Sequence, residues 1–178
     1  MSSSTLTSPA SDIVFPGTAP GVPLRRQVIP LSRRLFQVGM AAAAEALDGE
    51  ALTALEYGVL AWLRDDPDID QNALATRLGV DRTTAGMLVS SLEEKGFVDR
   101  RTNPADRRAR LLRLTPEGEA LRARVRPRVA ECQARILSVL EPAEQEMLLD
   151  LLVRVVTTNE AYMRPGAGRR KPSRKPGS

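Results

Sequence analysis

Two short helical segments separated by a tight turn constrain the fold of this sequence more than any other feature. Asp70 is suited to cap a helix over Gln71–Leu78, and Gly79 is suited to end it. Two residues later, Asp81 can cap a second helix. Apolar residues of this second helix recur on one face, at Ala85, Leu88, Val89 and Leu92. The spacing predicts a helix-turn-helix.

The opposite face of the second helix carries short polar groups, one cation and one position without a side chain. Its residues are Arg82, Thr83, Gly86, Met87 and Ser90. Such a face can approach a groove of DNA closely and form hydrogen bonds there. Because helix pairs of this spacing also occur in helical proteins that bind no DNA, the segment that follows decides the interpretation.

A candidate β-hairpin follows the helix pair. Phe97–Arg101 and Ala109–Leu114 can form strands, and residues 102–108 between them are rich in turn formers. Lys95–Leu114 carries seven cations and two carboxylates, a net charge of +5, whereas Arg25–Glu94 carries seven cations and eleven carboxylates, a net charge of −4. A merely solvated hairpin could also be charged. The position after the second helix favours a wing, whose cations would lie at phosphates and the minor groove.

Helices predicted on both sides of this lobe have more apolar surface than one chain can cover. Leu31–Leu47, between Pro30 and Gly49, carries apolar stripes on two faces. The last helix, which begins at Pro142, also has apolar residues on more than one face. We expect these terminal helices to pack against a second copy of the chain.

Two further helices connect these parts. Thr53 and Glu56 form a capping box at the start of one of them. Thr115 and Pro116 are suited to begin a longer one. An apolar seam of this longer helix runs through Leu121, Val125, Cys132, Ile136 and Val139. On that seam Cys132 is expected to be an inert buried thiol rather than an oxidation sensor.

Composition excludes most enzyme classes. The chain has no His and one Cys, which removes imidazole-assisted nucleophiles, His-ligated zinc and an intramolecular disulfide. The acidic loop Asp65–Asp70 resembles a calcium loop, but counted from Asp66 the sixth and twelfth positions are Gln71 and Arg77 instead of Gly and Glu. We expect no enzymatic activity, no metal and no cofactor.

The predicted fold is mainly α, because aromatic residues are 3% of the chain and Leu, Ala and Val dominate its apolar content. No membrane span and no secretory signal are expected. We expect residues 1–24 to be a disordered tail, 25–50 an N-terminal dimerisation helix and 51–114 a winged helix-turn-helix lobe with a short β-hairpin wing. Residues 115–163 are expected to complete the helical dimerisation domain, and 164–178 to be a disordered basic tail.

Three motifs carry a resemblance to a known family. They are Leu92–Arg100, Asn103–Arg108 and Leu114–Gly118, and with them the chain resembles the MarR family of bacterial winged-helix regulators over roughly Leu31–Met163. The resemblance implies a cytoplasmic, nucleoid-associated homodimer that binds a pseudo-palindromic double-stranded operator. It also implies a repressor that is released by a small molecule, often a phenolic or aromatic acid.

The resemblance also implies roles for individual residues. The residues expected to face DNA from the second helix of the pair are Arg82, Thr83, Thr84, Met87 and Ser90. In the wing, Arg108 resembles the family's minor-groove arginine, Asp106 would orient the tip, and Arg107 and Arg110 would contact phosphates. The candidate ligand residues are Arg33, Arg34, Phe36, Met40, Tyr57 and Trp62, although aromatic residues at such positions also serve as core.

Another class of function remains open at this stage. The lobe could be a winged-helix module that binds protein, or a nonspecific nucleoid-binding protein without a ligand response. The basic tail could add nonspecific affinity for polyanions to either kind of protein.

Overall fold

The computed structural model describes residues 23–103 and 110–160. The chain divides into two compact units, Met1–Gly39 and Met40–Ser178. The predicted basic tail, most of the predicted N-terminal tail and the tip of the predicted wing lie outside the described residues. Within them the mainly α fold with a small antiparallel sheet is confirmed.

The first unit contains a short 3-10 helix, Leu24–Arg26, and most of α1, Val28–Ala46. The helix begins three residues before the predicted start at Leu31, so Pro30 lies in its first turn. Proline is tolerated there because the first amides of a helix have no intrahelical partner. Apolar side chains on this part of α1 are exposed in the isolated chain, among them Leu31, Leu35, Phe36 and Val38.

The second unit carries the remaining elements. In chain order they are α2 (Ala54–Asp65), β1 (Ile69–Asp70), α3 (Gln71–Leu78), α4 (Arg82–Glu94), β2 (Val98–Thr102), β3 (Arg110–Leu114), α5 (Pro116–Leu137) and α6 (Pro142–Thr158). A single core joins the end of α1, α2, α3, α4, the sheet and α5 as far as Cys132. Its fully buried members are Leu60, Leu63, Leu74, Leu92, Leu112, Val59, Val89, Val98 and Val125.

The predicted starts of α2 and α5 are confirmed by their caps. The Thr53 hydroxyl accepts from the Glu56 amide at 3.2 Å, and the Glu56 carboxylate accepts from the Thr53 amide at 2.7 Å. At the start of α5, the Thr115 hydroxyl accepts from the Gly118 amide at 3.0 Å, with Pro116 at the first helical position. Each cap satisfies amides that the helix itself leaves unpaired.

The sheet has three strands in the order β1-β3-β2, one more than the predicted hairpin. Ile69 pairs with Leu112 across β1 and β3. Asp68, just before β1, has φ of 65°, and its amide donates to the Leu112 carbonyl at 3.0 Å. Its carboxylate accepts from Arg113 Nε at 3.0 Å. The two contacts of Asp68 hold β1 against β3 of the hairpin.

The prediction of an apolar seam on α5 is confirmed along the helix but is wrong for its last residue, Val139. Leu121, Val125 and Cys132 are buried, and Ile136 is half-buried. Val139 is 86% exposed, because α5 stops at Leu137 and Val139 lies in the turn before α6. The spacing of apolar residues could not locate this helix end.

The last helix, α6, is described along its whole length and has no buried residue. Its exposed apolar side chains include Met147, Leu151, Val153 and Val155. In the described ranges, 23–103 and 110–160, every helix is too short or too polar to cross a membrane.

Candidate DNA-binding site

The α3-turn-α4 segment forms the helix-turn-helix that the sequence predicts. Asp70 caps α3 by accepting from the amides of Asn72 at 2.7 Å and Ala73 at 3.0 Å. Gly79 ends α3 in the left-handed conformation, with φ of 68°, which a residue with a side chain rarely adopts. Asp81 then caps α4 by accepting from the Thr84 amide at 2.9 Å. Gly79 and the Asp81 cap therefore set the turn between the helices.

The two faces of α4 differ as expected. Ala85, Val89 and Leu92 are fully buried. Four of the residues expected to face DNA are exposed, namely Arg82, Thr83, Met87 and Ser90, whereas Thr84 is half-buried. The exposed Arg, Thr and Ser can hydrogen-bond base edges or phosphates, and the 62% exposed Met87 can contact a thymine methyl group.

Gly86 lies where the start of α3 crosses α4. A Cβ added at Gly86 would lie 2.9 Å from Gln71 Nε2, and the same Gln71 nitrogen donates to the Arg82 carbonyl at 3.4 Å. The missing side chain therefore lets the first residue of α3 contact the first turn of α4.

The wing is described in its strands. Cα partners run from Val98↔Leu114 to Thr102↔Arg110. Arg110 is exposed, and its guanidinium donates to the Thr102 hydroxyl across the strand pair. The expected tip residues Asp106, Arg107 and Arg108 lie outside the described residues, so their DNA contacts stay a prediction.

Arg100 joins the wing to α4, and the sequence pattern did not single it out. Its Nη2 donates to the Ser90 hydroxyl at 2.8 Å. Its Nε lies 3.1 Å from Glu93 Oε2 in an ion pair, and the Arg100 side chain is 27% exposed. The sequence did contain one signal for this contact: a cation in β2, the strand that directly follows α4, ten positions after a polar residue of α4. Ser90 is thus on the exposed face of α4, and its hydroxyl contacts Arg100 of the wing.

We expect Arg100→Lys to weaken operator binding by about 1 kcal/mol, because an ammonium cannot contact Ser90 and Glu93 at once as the guanidinium fork does. Arg101→Lys in the same strand is the matched control and should have little effect. Affinity and thermal unfolding are measured for each variant. If Ser90 acts through Arg100, Ser90→Ala adds no loss in the Arg100→Lys background. A fully additive loss would show that Ser90 contacts DNA independently.

A buried ionic network fastens the far end of α4 to α2. The Glu56 carboxylate accepts from Lys95 Nζ and from the Ser91 hydroxyl, each at 2.7 Å, and Lys95 Nζ also donates to the Ala51 carbonyl at 2.9 Å. The Glu56 side chain is 5% exposed and the Lys95 side chain 33%. Burial raises the pKa of Glu56, but the hydrogen bonds from Lys95, the Thr53 amide and Ser91 outweigh it and hold the pKa below its ordinary value.

The six candidate ligand residues belong to different parts of the chain. Arg33, Arg34 and Phe36 are exposed on the first unit, whereas Met40, Tyr57 and Trp62 are half-buried in the second. Burial raises the pKa of the Tyr57 hydroxyl, and the charges of Arg122 and Arg126 partly oppose that rise. That these residues form one ligand site stays a prediction.

The buried Cys132 thiol is close to one cation. Arg135 Nη2 lies 3.7 Å from its sulfur and pairs more closely with Glu45, at 2.6 Å. The thiol is 9% exposed, which agrees with a structural role on the α5 seam.

A capped helix pair with an exposed polar face, followed directly by a cation-bearing hairpin, is a winged helix-turn-helix lobe. Proteins of this class bind DNA, and the comparisons agree with the class. A model described as "MarR family" matches residues 52–109. Transcriptional regulator HosA of Escherichia coli O111:H- is 31% identical over 133 residues, covering 75% of this chain and 97% of that protein. The chain belongs to the MarR family and is a transcriptional regulator of the MarR type.

Other relatives agree with this assignment. A Thauera aromatica protein assigned to transcriptional regulation of the hcr operon is 37% identical over 106 residues, covering 60% of this chain and 64% of that protein. This chain therefore spans slightly less than two thirds of the Thauera protein.

Solved structures show the same fold. The PcaV transcriptional regulator of Streptomyces coelicolor, in complex with its natural ligand, is 34% identical with a TM-score of 0.68, covering 78% of this chain and 97% of that one. The transcriptional repressor CouR, bound to a 23-mer DNA duplex, is 27% identical with a TM-score of 0.68, covering 75% of this chain and 94% of that one.

Proposed function

We propose that this protein is a homodimeric repressor that binds a pseudo-palindromic operator through α4 and the wing and is released by a small aromatic acid. The exposed face of α4 beside the cationic hairpin is the observation that carries the DNA-binding part. CouR, which shares the fold, was solved on a DNA duplex.

In the proposed complex, α4 contacts base edges and the wing contacts phosphates and the minor groove. Arg82, Thr83, Thr84 and Met87 read base edges in the major groove, with Ser90 held beside them by Arg100. Arg107, Arg108 and Arg110, with Asp106 orienting the tip, supply the phosphate and minor-groove contacts of the wing. In a two-fold dimer the half-sites lie about 10 base pairs apart.

The ligand response has support from two neighbours. PcaV was solved with its natural ligand, and CouR of Rhodococcus jostii RHA1 was solved bound to p-coumaroyl-CoA. For this chain we propose Arg33 or Arg34 as partners of a carboxylate, and Phe36, Met40, Tyr57 and Trp62 as its apolar surroundings.

A competition experiment tests the DNA-binding function. The protein is titrated with labelled DNA from upstream of its own gene and from a random sequence at physiological salt. A regulator prefers its operator by roughly three decades or more. Equal affinity for both DNAs favours a nonspecific nucleoid-binding or protein-binding module instead.

We expect the terminal helices to form the dimer, because α1 and α6 each expose a row of large apolar side chains in the single chain. Leu35→Asp together with Leu151→Asp should give monomers, since a carboxylate buried without a partner costs several kcal/mol. Analytical ultracentrifugation at micromolar concentration measures the mass. The control is Gln37→Asp with Glu146→Asp. It places the same two aspartate carboxylates at polar positions of α1 and α6, and it should leave the dimer intact. A wild-type monomer would contradict the proposal.

A further inference from the structure

Residues 47–53, called the α1–α2 linker below, join the first helix to the DNA-binding lobe. Leu47 and Leu52, near the two ends of the linker, are buried in the core. The linker belongs to the second compact unit. On the other side of the lobe, α5 leads to α6. The linker and α5 are therefore the two covalent connections of the lobe to α1 and α6.

The carboxylate of Glu50, in the middle of the linker, is bound by two cations of α5. Arg124 Nη2 donates to one carboxylate oxygen at 2.7 Å, and Arg128 Nη2 donates to the other at 2.5 Å. Arg128 Nη1 also donates to the Asp48 carbonyl at 3.2 Å. The linker is therefore bound to α5 through one side chain and one backbone group.

Burial distinguishes Glu50 from an ordinary surface acid. Its side chain is 15% exposed, and both of its carboxylate oxygens accept hydrogen bonds. The hydrogen bond from Arg124 lowers the pKa of Glu50, although partial burial opposes this shift. The pair of Glu45 with Arg135 differs, because its side chains are 63% and 57% exposed. Ion pairs as exposed as this one contribute little, so Glu50 is the acid that holds the linker to α5.

The linker is also bound to the end of α4. Lys95, the residue directly after α4, donates to the Ala51 carbonyl at 2.9 Å. Because Glu50 and Ala51 are adjacent, cations from α5 and from the end of α4 bind consecutive residues of the linker. Helix α4 is thereby attached to both covalent connections of the lobe.

We propose that Glu50 is a positioning residue that sets the distance and the angle between the two copies of α4 in the dimer, without contacting DNA. Its ion pairs with Arg124 and Arg128 hold the linker against α5. The lobe therefore has one orientation relative to α6, which carries part of the proposed dimer surface. This inference goes beyond the proposed function, and it rests on that function for the homodimer and for the two half-sites.

The spacing of the half-sites is the property of the DNA that reports this orientation. One base pair added between two half-sites moves one of them by about 3.4 Å and rotates it by about 35° around the DNA axis. A dimer whose lobes are held in one orientation cannot follow this change. A dimer whose lobes are not held can follow it, but it binds the native operator more weakly because ordering the lobes costs entropy.

The affinities of three DNA duplexes test the role of Glu50. The first duplex is the operator upstream of the protein's own gene, with its two arms defined by footprinting. The other two have one base pair inserted or deleted at its centre. We expect the wild-type protein to bind the altered duplexes at least about tenfold more weakly than the operator. In Glu50→Ala this ratio should fall to about threefold or less, with weaker binding to the operator.

Three further variants separate positioning from charge and from folding. Glu131→Ala also removes one carboxylate, at an exposed position of α5, and should keep the wild-type ratio. Arg124→Met with Arg128→Met leaves Glu50 in place and should reproduce the lowered ratio. Glu50→Gln, which keeps one acceptor oxygen, should lie between Glu50→Ala and wild type. A change in overall charge affects all three duplexes alike and cancels in the ratio, and urea denaturation shows that each variant is folded.

A folded Glu50→Ala protein with the wild-type ratio would overturn the proposal, even if its stability were lower. An equal fall of the ratio in Glu131→Ala would overturn it as well. A wild-type protein that prefers the operator to random DNA but binds all three duplexes equally would overturn both this proposal and the reading of two half-sites by a dimer. A wild-type protein that distinguishes the duplexes, with variants that distinguish them equally well, retains the proposed function and loses only the role of Glu50.

Discussion

Gly118→Ala is expected to destabilise the DNA-binding lobe by about 3 kcal/mol or more, since overpacking against rigid backbone is costly. A Cβ at Gly118 would lie 2.1 Å from the Phe97 carbonyl oxygen and 2.9 Å from the Phe97 carbonyl carbon. The same carbonyl accepts from the Thr115 amide at 3.1 Å. To accommodate the methyl group, the start of α5 must move away from the segment that enters β2. Urea denaturation measures the loss.

Gly86→Ala is the matched control for this prediction. Its new Cβ would also meet a neighbour below 3.0 Å, but that neighbour is the end of the flexible Gln71 side chain. The side chain can rotate away, and alanine in a helix interior gains up to about 1 kcal/mol over glycine. We expect Gly86→Ala to retain the wild-type stability or to exceed it. Equal losses in the two variants would show that the close approach at Gly118 has no special role.

Lys95→Met is expected to cost about 3 kcal/mol, because removing one partner of a buried ion pair leaves the other charge without compensation. The low end of the usual range applies because Lys95 is one third exposed and Glu56 keeps its hydrogen bonds from Ser91 and Thr53. Arg101→Met, at an exposed cation, should be nearly neutral. Combining Lys95→Met with Glu56→Gln should recover part of the loss.

We expect the loss of stability in Lys95→Met to become smaller as the pH falls. The pKa of Glu56 is lowered in the folded protein. The ionised Glu56 carboxylate therefore contributes to the free energy of unfolding at pH values above its pKa in the unfolded chain, and this contribution is lost as the pH falls through its pKa in the folded protein. Without Lys95 the pKa of Glu56 rises. The difference between wild type and variant should therefore be largest near neutral pH and narrow as pH falls toward about 4, the ordinary range of a carboxyl group. A difference that does not change with pH would contradict this role of Glu56.

Local chemistry made the helix starts predictable from sequence. Asp70, Asp81 and Thr115 satisfy amides only a few residues ahead, so their role is determined within one turn of helix. The buried face of α4 was equally predictable, because its period is a property of the helix. The charge of the hairpin and its place after α4 were also present in the sequence.

Contacts between distant segments were not predictable in this way. The two-residue strand β1 exists because Ile69 pairs with Leu112, and Arg113 reaches Asp68 from 45 positions away. The bond between Arg100 and Ser90 depends on the angle between a hairpin and a helix. Similarly, Arg77 of α3 and Thr157 of α6 line a common cavity only in the folded chain. The spacing of residues along the sequence predicts the faces of a single helix or strand. It does not predict which residues of different elements come into contact.

The wing and α4 should be distinguishable by their salt dependence. Arg108→Ala removes a contact with phosphates or the minor groove, so affinity for operator and for random DNA should both fall, and the salt slope should flatten by about one unit.

The most direct measurement is a salt-titrated affinity series for wild type and Thr83→Ala on operator and on random DNA. Thr158→Ala, at an exposed threonine just inside the end of α6, is the control. If the exposed face of α4 reads base sequence, Thr83→Ala should cost roughly 1–3 kcal/mol on the operator and almost nothing on random DNA, since base-edge contacts form only in register. An equal loss on both DNAs, or no loss on the operator, would contradict the assignment of α4 as the reading helix.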